Sequence, residues 1–204
     1  TGENRSGWMY AYTDEEIRGF RQTHQPSPWI NDYGTFSVMP VSGDLKVSYK
    51  DRGVRFSHKN EIARPDYYKV QFDNGIVTEL SASRTGAVLD ITFTPGEEQY
   101  FIVDAYHGGC RLAIDRQNRR VTGYTKNNCG GVPSNPIKDQ GIQINDDLFP
   151  GKLVGEHDRV CAYLQFDVPE GEKLTVRVAS SFIGEEQAWL NFDREVKNKT
   201  VADL

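Results

Sequence analysis

The feature that most constrains this chain is a period-two alternation of apolar side chains, repeated in short runs and punctuated by turn residues. Tyr68, Val70 and Phe72 alternate with Tyr67, Lys69 and Gln71. Asp73, Asn74 and Gly75 then supply turn chemistry, and the next run places Ile76, Thr78, Leu80 and Ala82 on one face. After Arg84, Thr85 and Gly86 the same period returns at Leu89, Ile91 and Phe93. Links this short join antiparallel neighbours, so the stretch predicts a three-stranded meander. Further strands are expected at 99–106, 111–115 and 119–124, again as antiparallel neighbours. A last hairpin is expected between 159–168 and 173–181 across Pro169, Glu170, Gly171 and Glu172, with Val160, Ala162, Leu164, Phe166 and Val168 facing a core. Strands at this spacing predict an all-β fold, an antiparallel sandwich. Trp8, Tyr10 and Tyr12 look like part of one more strand, and residues 125–159 read as a long polar surface excursion. Two short helices complete the expectation. One starts at Thr13, with Glu16 at capping-box spacing, and is stopped by Gly19; the other begins near Gly184.

Two hundred and four residues suit one core, and no repeat or compositional break divides the strands. Ten Tyr, ten Phe and three Trp join the Val, Ile and Thr content in favouring a pleated, half-buried surface. The net charge of −5 and the absence of a basic cluster argue against nucleic acid and against anionic membranes as partners. No apolar run approaches the ~20 residues of a membrane-spanning helix. Three cysteines cannot all pair, and the spacing of Cys110, Cys129 and Cys161 fits neither a zinc knuckle nor a redox motif. They read as small buried hydrophobes, with a Cys110 to Cys129 bridge open if the protein is exported. No signal peptide is visible at Thr1, and both ends read as cuts through a longer polypeptide.

Catalytic patterns are sparse. His24, His58, His107 and His157 lie far apart, no glycine-rich turn follows a strand into a helix, and no nucleophile elbow occurs. Adjacent acids such as Glu15 with Glu16, Asp146 with Asp147, and Glu185 with Glu186 read as solvated surface. Glycoside hydrolysis needs carboxyls converging from different elements, ~6.5–9.5 Å apart for inversion. The unusual stretch is 20–40, which matches neither helix nor strand. Pro26 and Pro28 bracket Ser27, so Trp29, Asn31 and Asp32 would stand on a stiffened loop. An apolar ring beside amide and carboxylate groups suits a sugar, whose C–H face stacks while paired hydroxyls hydrogen-bond; Trp29 could equally plug a core or an interface.

The same segment carries a resemblance. Ile17, Arg18, Gly19 and Phe20, then Thr23 and His24, Asp32, Tyr33 and Gly34, and Met39 and Pro40 are similar to the N-terminal domain of glycoside hydrolase family 92, the calcium-dependent exo-acting α-mannosidases. Phe56, Ser57 and His58 with Glu61, Ala63 and Pro65 to Tyr68 resemble that family's His-x-x-Glu-x-Ala-x-Pro-Gly-Tyr-Tyr stretch, with Asp66 in the glycine position. Glu79 to Gly86 is similar to the strand and turn that follow. Ser180 to Ile183, with Glu186, Gln187 and Ala188, matches the segment leading into the interdomain linker.

The resemblance implies a galactose-mutarotase-like β-sandwich over residues 1–183 and a helical linker over 184–204, docked on a C-terminal (α/α)6 barrel of the same polypeptide. It implies hydrolysis of α-mannosidic bonds in mannose-containing glycans with inversion, calcium holding mannose hydroxyls, and catalytic carboxylates and calcium ligands on the barrel. Carried over singly, Trp29 is the candidate platform on the leaving-group side, Asn31 a polar contact, and His24 and Asp32 either contacts or braces of the loop. His58 and Glu61 are expected as a structural ion pair or interface contact. Gln22 departs from the commoner His-Thr-His. The isolated chain is expected to be inactive, without calcium, and extracellular or periplasmic. The alternative is an autonomous carbohydrate-binding module.

Overall fold

The computed structural model describes residues 11–23, 33–106, 108–125 and 148–204. Thirteen strands and one α-helix are found among them: β1 (Glu16–Ile17), β2 (Phe20–Thr23), β3 (Tyr33–Ser42), β4 (Val54–Ala63), β5 (Tyr68–Phe72), β6 (Val77–Ala82), β7 (Gly86–Thr92), β8 (Gln99–Asp104), β9 (Cys110–Asp115), β10 (Arg120–Thr125), β11 (Val154–His157), β12 (Cys161–Phe166), β13 (Leu174–Ala179) and α1 (Glu185–Glu195). They form a six-stranded sheet in the order β1-β4-β5-β6-β7-β13, a four-stranded sheet β12-β8-β3-β2 and a three-stranded sheet β10-β9-β11. Every pairing is antiparallel. The all-β expectation holds. No helix among the described residues is long and apolar enough to cross a membrane.

Register explains the core. Partnered residues share a face, so Val70, Thr78, Ile91 and Leu174 make one row across the large sheet, and Tyr68, Leu80, Leu89 and Val176 make the next. These rows join Met39, Val41, Phe101 and Ile102 of the four-stranded sheet in the main apolar cluster. A second cluster, built on Ala105, Cys110, Leu112, Val160 and Ala162, attaches the three-stranded sheet. Cys161 and Ala162 are adjacent and both buried, one in each cluster.

The meander is present as β5, β6 and β7, with Gly75 at φ 89° in its first turn, a conformation that favours glycine. The last hairpin is not. β12 pairs with β8 in one sheet, whereas β13 pairs with β7 in another. The Gln99 side chain explains how the chain leaves: its amide donates to the Val168 carbonyl at 3.1 Å and its oxygen accepts from the Val168 N–H at 2.7 Å. The last main-chain groups before the crossing are thereby satisfied without a partner strand. β8 and β9 likewise part into different sheets, because Tyr106, Gly108 and Gly109 all take positive φ and turn the chain out of the ladder. The segment from Phe20 to Pro40, expected to be irregular, carries strand at both ends. The short helix expected from Thr13 is absent: Asp14 caps the Ala11 N–H at 3.1 Å, and Glu16 lies on β1, where its carboxylate pairs with Arg18 at 2.8 Å.

The C-terminal segment packs on the outer face of the large sheet. Val88 on β7 is buried there under Val196 and Val201. Glu195 accepts hydrogen bonds from Ser83 Oγ at 2.7 Å and the Thr85 N–H at 2.9 Å, fastening the end of α1 to the β6–β7 turn. A Cβ on Gly86 in that turn would come 2.6 Å from the Val178 carbonyl and 2.9 Å from Val196, which only glycine avoids. Partial burial opposes ionisation of Glu195, but the Ser83 and Thr85 donors outweigh it and hold the carboxyl below its usual range. Glu195→Ala is expected to cost about 1 kcal/mol in equilibrium unfolding near neutral pH. Its pH signature follows from the lowered value: the contribution is present above the unfolded carboxyl pKa and fades as pH falls through the folded one.

Candidate functional site

His24, Trp29, Asn31 and Asp32 all fall on the nine residues 24–32, which lie outside the described residues. Their attachment is described. β2 and β3 are antiparallel, with Thr23 opposite Tyr33, so the candidate loop is the connection of this pair. A register shift between Arg21 and Thr23 bends the strand just before the loop.

Three contacts fix that stem. Phe20 sets its ring edge-on to Tyr68 and Phe72 of the opposite sheet, with centroids 6.1 and 6.4 Å away. Arg21 lays its guanidinium over the Tyr106 ring at 4.5 Å. Ser37, opposite Arg21, accepts a hydrogen bond from Arg52 at 2.9 Å. Burial raises the Tyr106 phenol above its ordinary value, so the ring stays neutral under its cation. Gln22 Oε1 is buried and finds no hydrogen-bond partner among the described residues, which makes it an available acceptor at the base of the loop.

Arg52 is the centre beneath the stem. Its side chain is 1% exposed, and it donates to the Arg18 carbonyl at 2.7 Å, the Val47 carbonyl at 3.1 Å and Asp104 Oδ2 at 2.7 Å, besides Ser37. Asp104 is wholly buried; its other oxygen accepts the Tyr106 N–H at 3.0 Å, and Arg159 approaches to 3.8 Å. Sequence reasoning missed this pair, since a lone Arg in a loop and an Asp ending a strand carry no pattern. Arg52→Met would strip buried Asp104 of its closest donor and leave Arg159, 3.8 Å away, as its counter-charge. It is expected to lower unfolding free energy by about 3–5 kcal/mol in denaturant titration.

His58 and Glu61 are brought together as an ion pair, Nδ1 to Oε2 at 2.6 Å. The Tyr68 hydroxyl donates to the other carboxylate oxygen at 2.6 Å, and Tyr12 stacks on the imidazole at 4.2 Å. On the outer face of the large sheet, Glu79 accepts from Tyr67 at 2.7 Å and Lys173 at 2.5 Å. The Lys173 hydrogen bond leads in holding its carboxyl low, while burial pushes the Tyr67 phenol up to about 12. An open hollow of about 490 Å³ lies between the β9–β10 turn and β12, edged by Arg116, Arg119, Phe149, Lys152 and Tyr163.

Among the described residues no three His, Cys, Asp or Glu side chains converge as a cation site requires. The described carboxylates thus offer calcium no ready cluster of oxygen donors. His107 and Cys129 lie outside the described residues. Cys110 and Cys161 are buried free thiols. Burial drives Cys110 to about 11 and Cys161 well above its ordinary value, so neither supplies a thiolate. A thiol reagent applied to the native chain is expected to leave both unlabelled until denaturant is added, as peptide mass mapping would show.

Comparison with known proteins places this geometry. The model of the glycosyl hydrolase family 92 N-terminal domain matches residues 1–181. A family GH92 inverting mannosidase from Bacteroides thetaiotaomicron is 53% identical, with a TM-score of 0.89 over 99% of this chain and 29% of that one. A second mannosidase structure, a family GH92 alpha-mannosidase of the same organism, is 20% identical with a TM-score of 0.70, over 97% of this chain and 30% of its own; it shows a shared fold. An uncharacterized secreted glycosidase from Arthroderma benhamiae is 24% identical over 95% of this chain and 30% of its own length. The chain thus spans about three tenths of the length of these relatives. It belongs to glycosyl hydrolase family 92, whose N-terminal domain it represents.

Proposed function

We propose that this chain is the non-catalytic sandwich of a secreted exo-α-mannosidase, packing on a C-terminal catalytic barrel and lending the loop at 24–32 to the mannose-binding cleft. The observation that carries the reading is the 53% identity to an inverting mannosidase over nearly all of this chain and less than a third of that one. The parent activity would be hydrolysis of α-mannosidic bonds with inversion. One carboxyl protonates the leaving oxygen, and a second activates water on the opposite face of the sugar. Both would come from the remainder of the parent, as would the ligands of its calcium.

Three of the described carboxylates are tied up in the fold, which supports this division. Asp104 is committed to Arg52, Glu61 to His58 and Tyr68, and Glu79 to Tyr67 and Lys173, all holding strands in place. In the cleft, Trp29 would stack on the sugar of the leaving-group side, and Asn31 would hydrogen-bond its hydroxyls. His24 and Asp32 would contact the sugar or brace the loop, whose stem is fixed by Phe20, Arg21 and Ser37.

Calorimetry of this chain with mannose and mannobiose is expected to give no binding heat, and an aryl α-mannoside with calcium no turnover. Measurable affinity would favour an autonomous carbohydrate-binding module, and turnover would overturn the division of labour. In the parent enzyme, Trp29→Ala is expected to lower kcat/KM about tenfold, about 1.4 kcal/mol. Unchanged kinetics would remove the loop from the cleft.

A further inference from the structure

We propose that His58 is a proton-operated clasp: its charged ring, held between Glu61 and Tyr12, fastens the turn at residues 11–15 to the large sheet, and that turn loosens when the ring becomes neutral. The inference stands apart from the mannosidase reading and rests on the packing around β4.

Residues three apart on a regular strand point to opposite faces. On β4 the register runs from Phe56 opposite Phe72 to Glu61 opposite Val70, five steps against two on β5. The extra residues form an irregularity that turns His58 and Glu61 toward each other, 2.6 Å apart. Glu61 is 5% exposed and cannot turn to solvent, because the Tyr68 hydroxyl holds its other oxygen. The carboxylate is thus a fixed counter-charge for the ring.

Tyr12 belongs to the turn and is 73% exposed, yet its ring lies nearly parallel to the imidazole, at 4.2 Å and 16°. Phe56 meets the imidazole edge-on at 5.0 Å. A phenol ring is attracted to an imidazolium and much less to a neutral imidazole. The titratable and charged residues on the elements around the ring include Arg55 and Lys59 on β4, Tyr68 on β5, and Asp14 and Glu15 on the turn. Arg55 and Glu15 pair with each other at 2.6 Å at the surface. The ring's affinity for its proton is raised above the ordinary 6.5: the Glu61 hydrogen bond leads, partial burial opposes, and the Glu61 charge and main-chain acceptors at Tyr12 and Asp14 add to the rise.

The sign follows. The contribution is complete below the unfolded value near 6.5 and is lost as pH rises through the elevated folded value. Glu61 lies on β4 with His58 and stays when the turn opens, so only the part of the rise that the turn supplies counts: each unit of it makes opening about tenfold easier at the alkaline limit. β1 follows the clasped turn directly, and the chain then enters β2 and the stem of the 24–32 connection.

The test uses the 204-residue chain, with an NMR titration of the His58 ring and amide hydrogen exchange from about pH 5 to about pH 9. The reporter is the Phe56 N–H, bonded to the Glu15 carbonyl at 3.0 Å, and the control is the Phe72 N–H, bonded to the Ile76 carbonyl at 2.9 Å. His58 should titrate above its ordinary value. Phe56 protection, corrected for intrinsic exchange, should fall about tenfold for each unit by which the closed turn itself raises the His58 midpoint, read as the difference between the parent and Tyr12→Ala, while Phe72 stays level. His58→Gln keeps a donor for Glu61 but cannot titrate, and should flatten the Phe56 profile. Should that variant not fold, Tyr12→Ala should lower the His58 midpoint toward the ordinary value and shrink the Phe56 response. A ring titrating at or below the ordinary value, Phe56 protection that ignores the titration, or variants that keep the parental profile would each overturn the clasp.

Discussion

The interaction on which most of this structure depends is the buried pair of Arg52 and Asp104. A guanidinium presents fixed donors, and here they are spread over four separate pieces of chain: Arg18 between β1 and β2, Val47 in the segment before β4, Ser37 on β3 and Asp104 at the end of β8. Burial of two charges is costly, so such a centre makes only one arrangement acceptable rather than adding large stability. In this chain the arrangement it enforces brings the beginnings of two sheets together beneath the stem of the 24–32 connection.

Local chemistry was legible in the sequence and long-range pairing was not. The meander of β5, β6 and β7 followed from alternation and turn residues, because each strand's partner is the next one along. The supposed last hairpin had the same signals, but a turn such as Pro169 to Glu172 serves an arch between sheets as well as a hairpin within one. What separated them was the Gln99 amide, 69 residues upstream, holding Val168 where no strand does. The helix expected at Thr13 failed for a related reason: Glu16 and Ile17 pair as a strand with Arg55 and Val54 of β4, far along the chain.

The candidate loop was marked by its residues, and the resemblance gave it a sugar to hold. Proline, aromatic and amide groups marked 20–40 as unusual, while nothing local marked Arg52 or Asp104, whose significance arises from distant neighbours. His58 and Glu61 came from the family pattern as a pair, but their meeting depends on an irregularity in β4 that spacing would have argued against. The resemblance supplied residue identities; packing supplied the reason for them.

The arch from β12 to β13 also bears on biogenesis. β7 offers one edge to β6 within a few residues of synthesis, but its other edge is completed only when residues 174–179 emerge. Until then the growing polypeptide presents an open, largely apolar ladder, the kind of template on which foreign strands add. Closure of the large sheet is therefore a late event, and speed in laying down the last strand decides how long that edge persists on a half-made molecule.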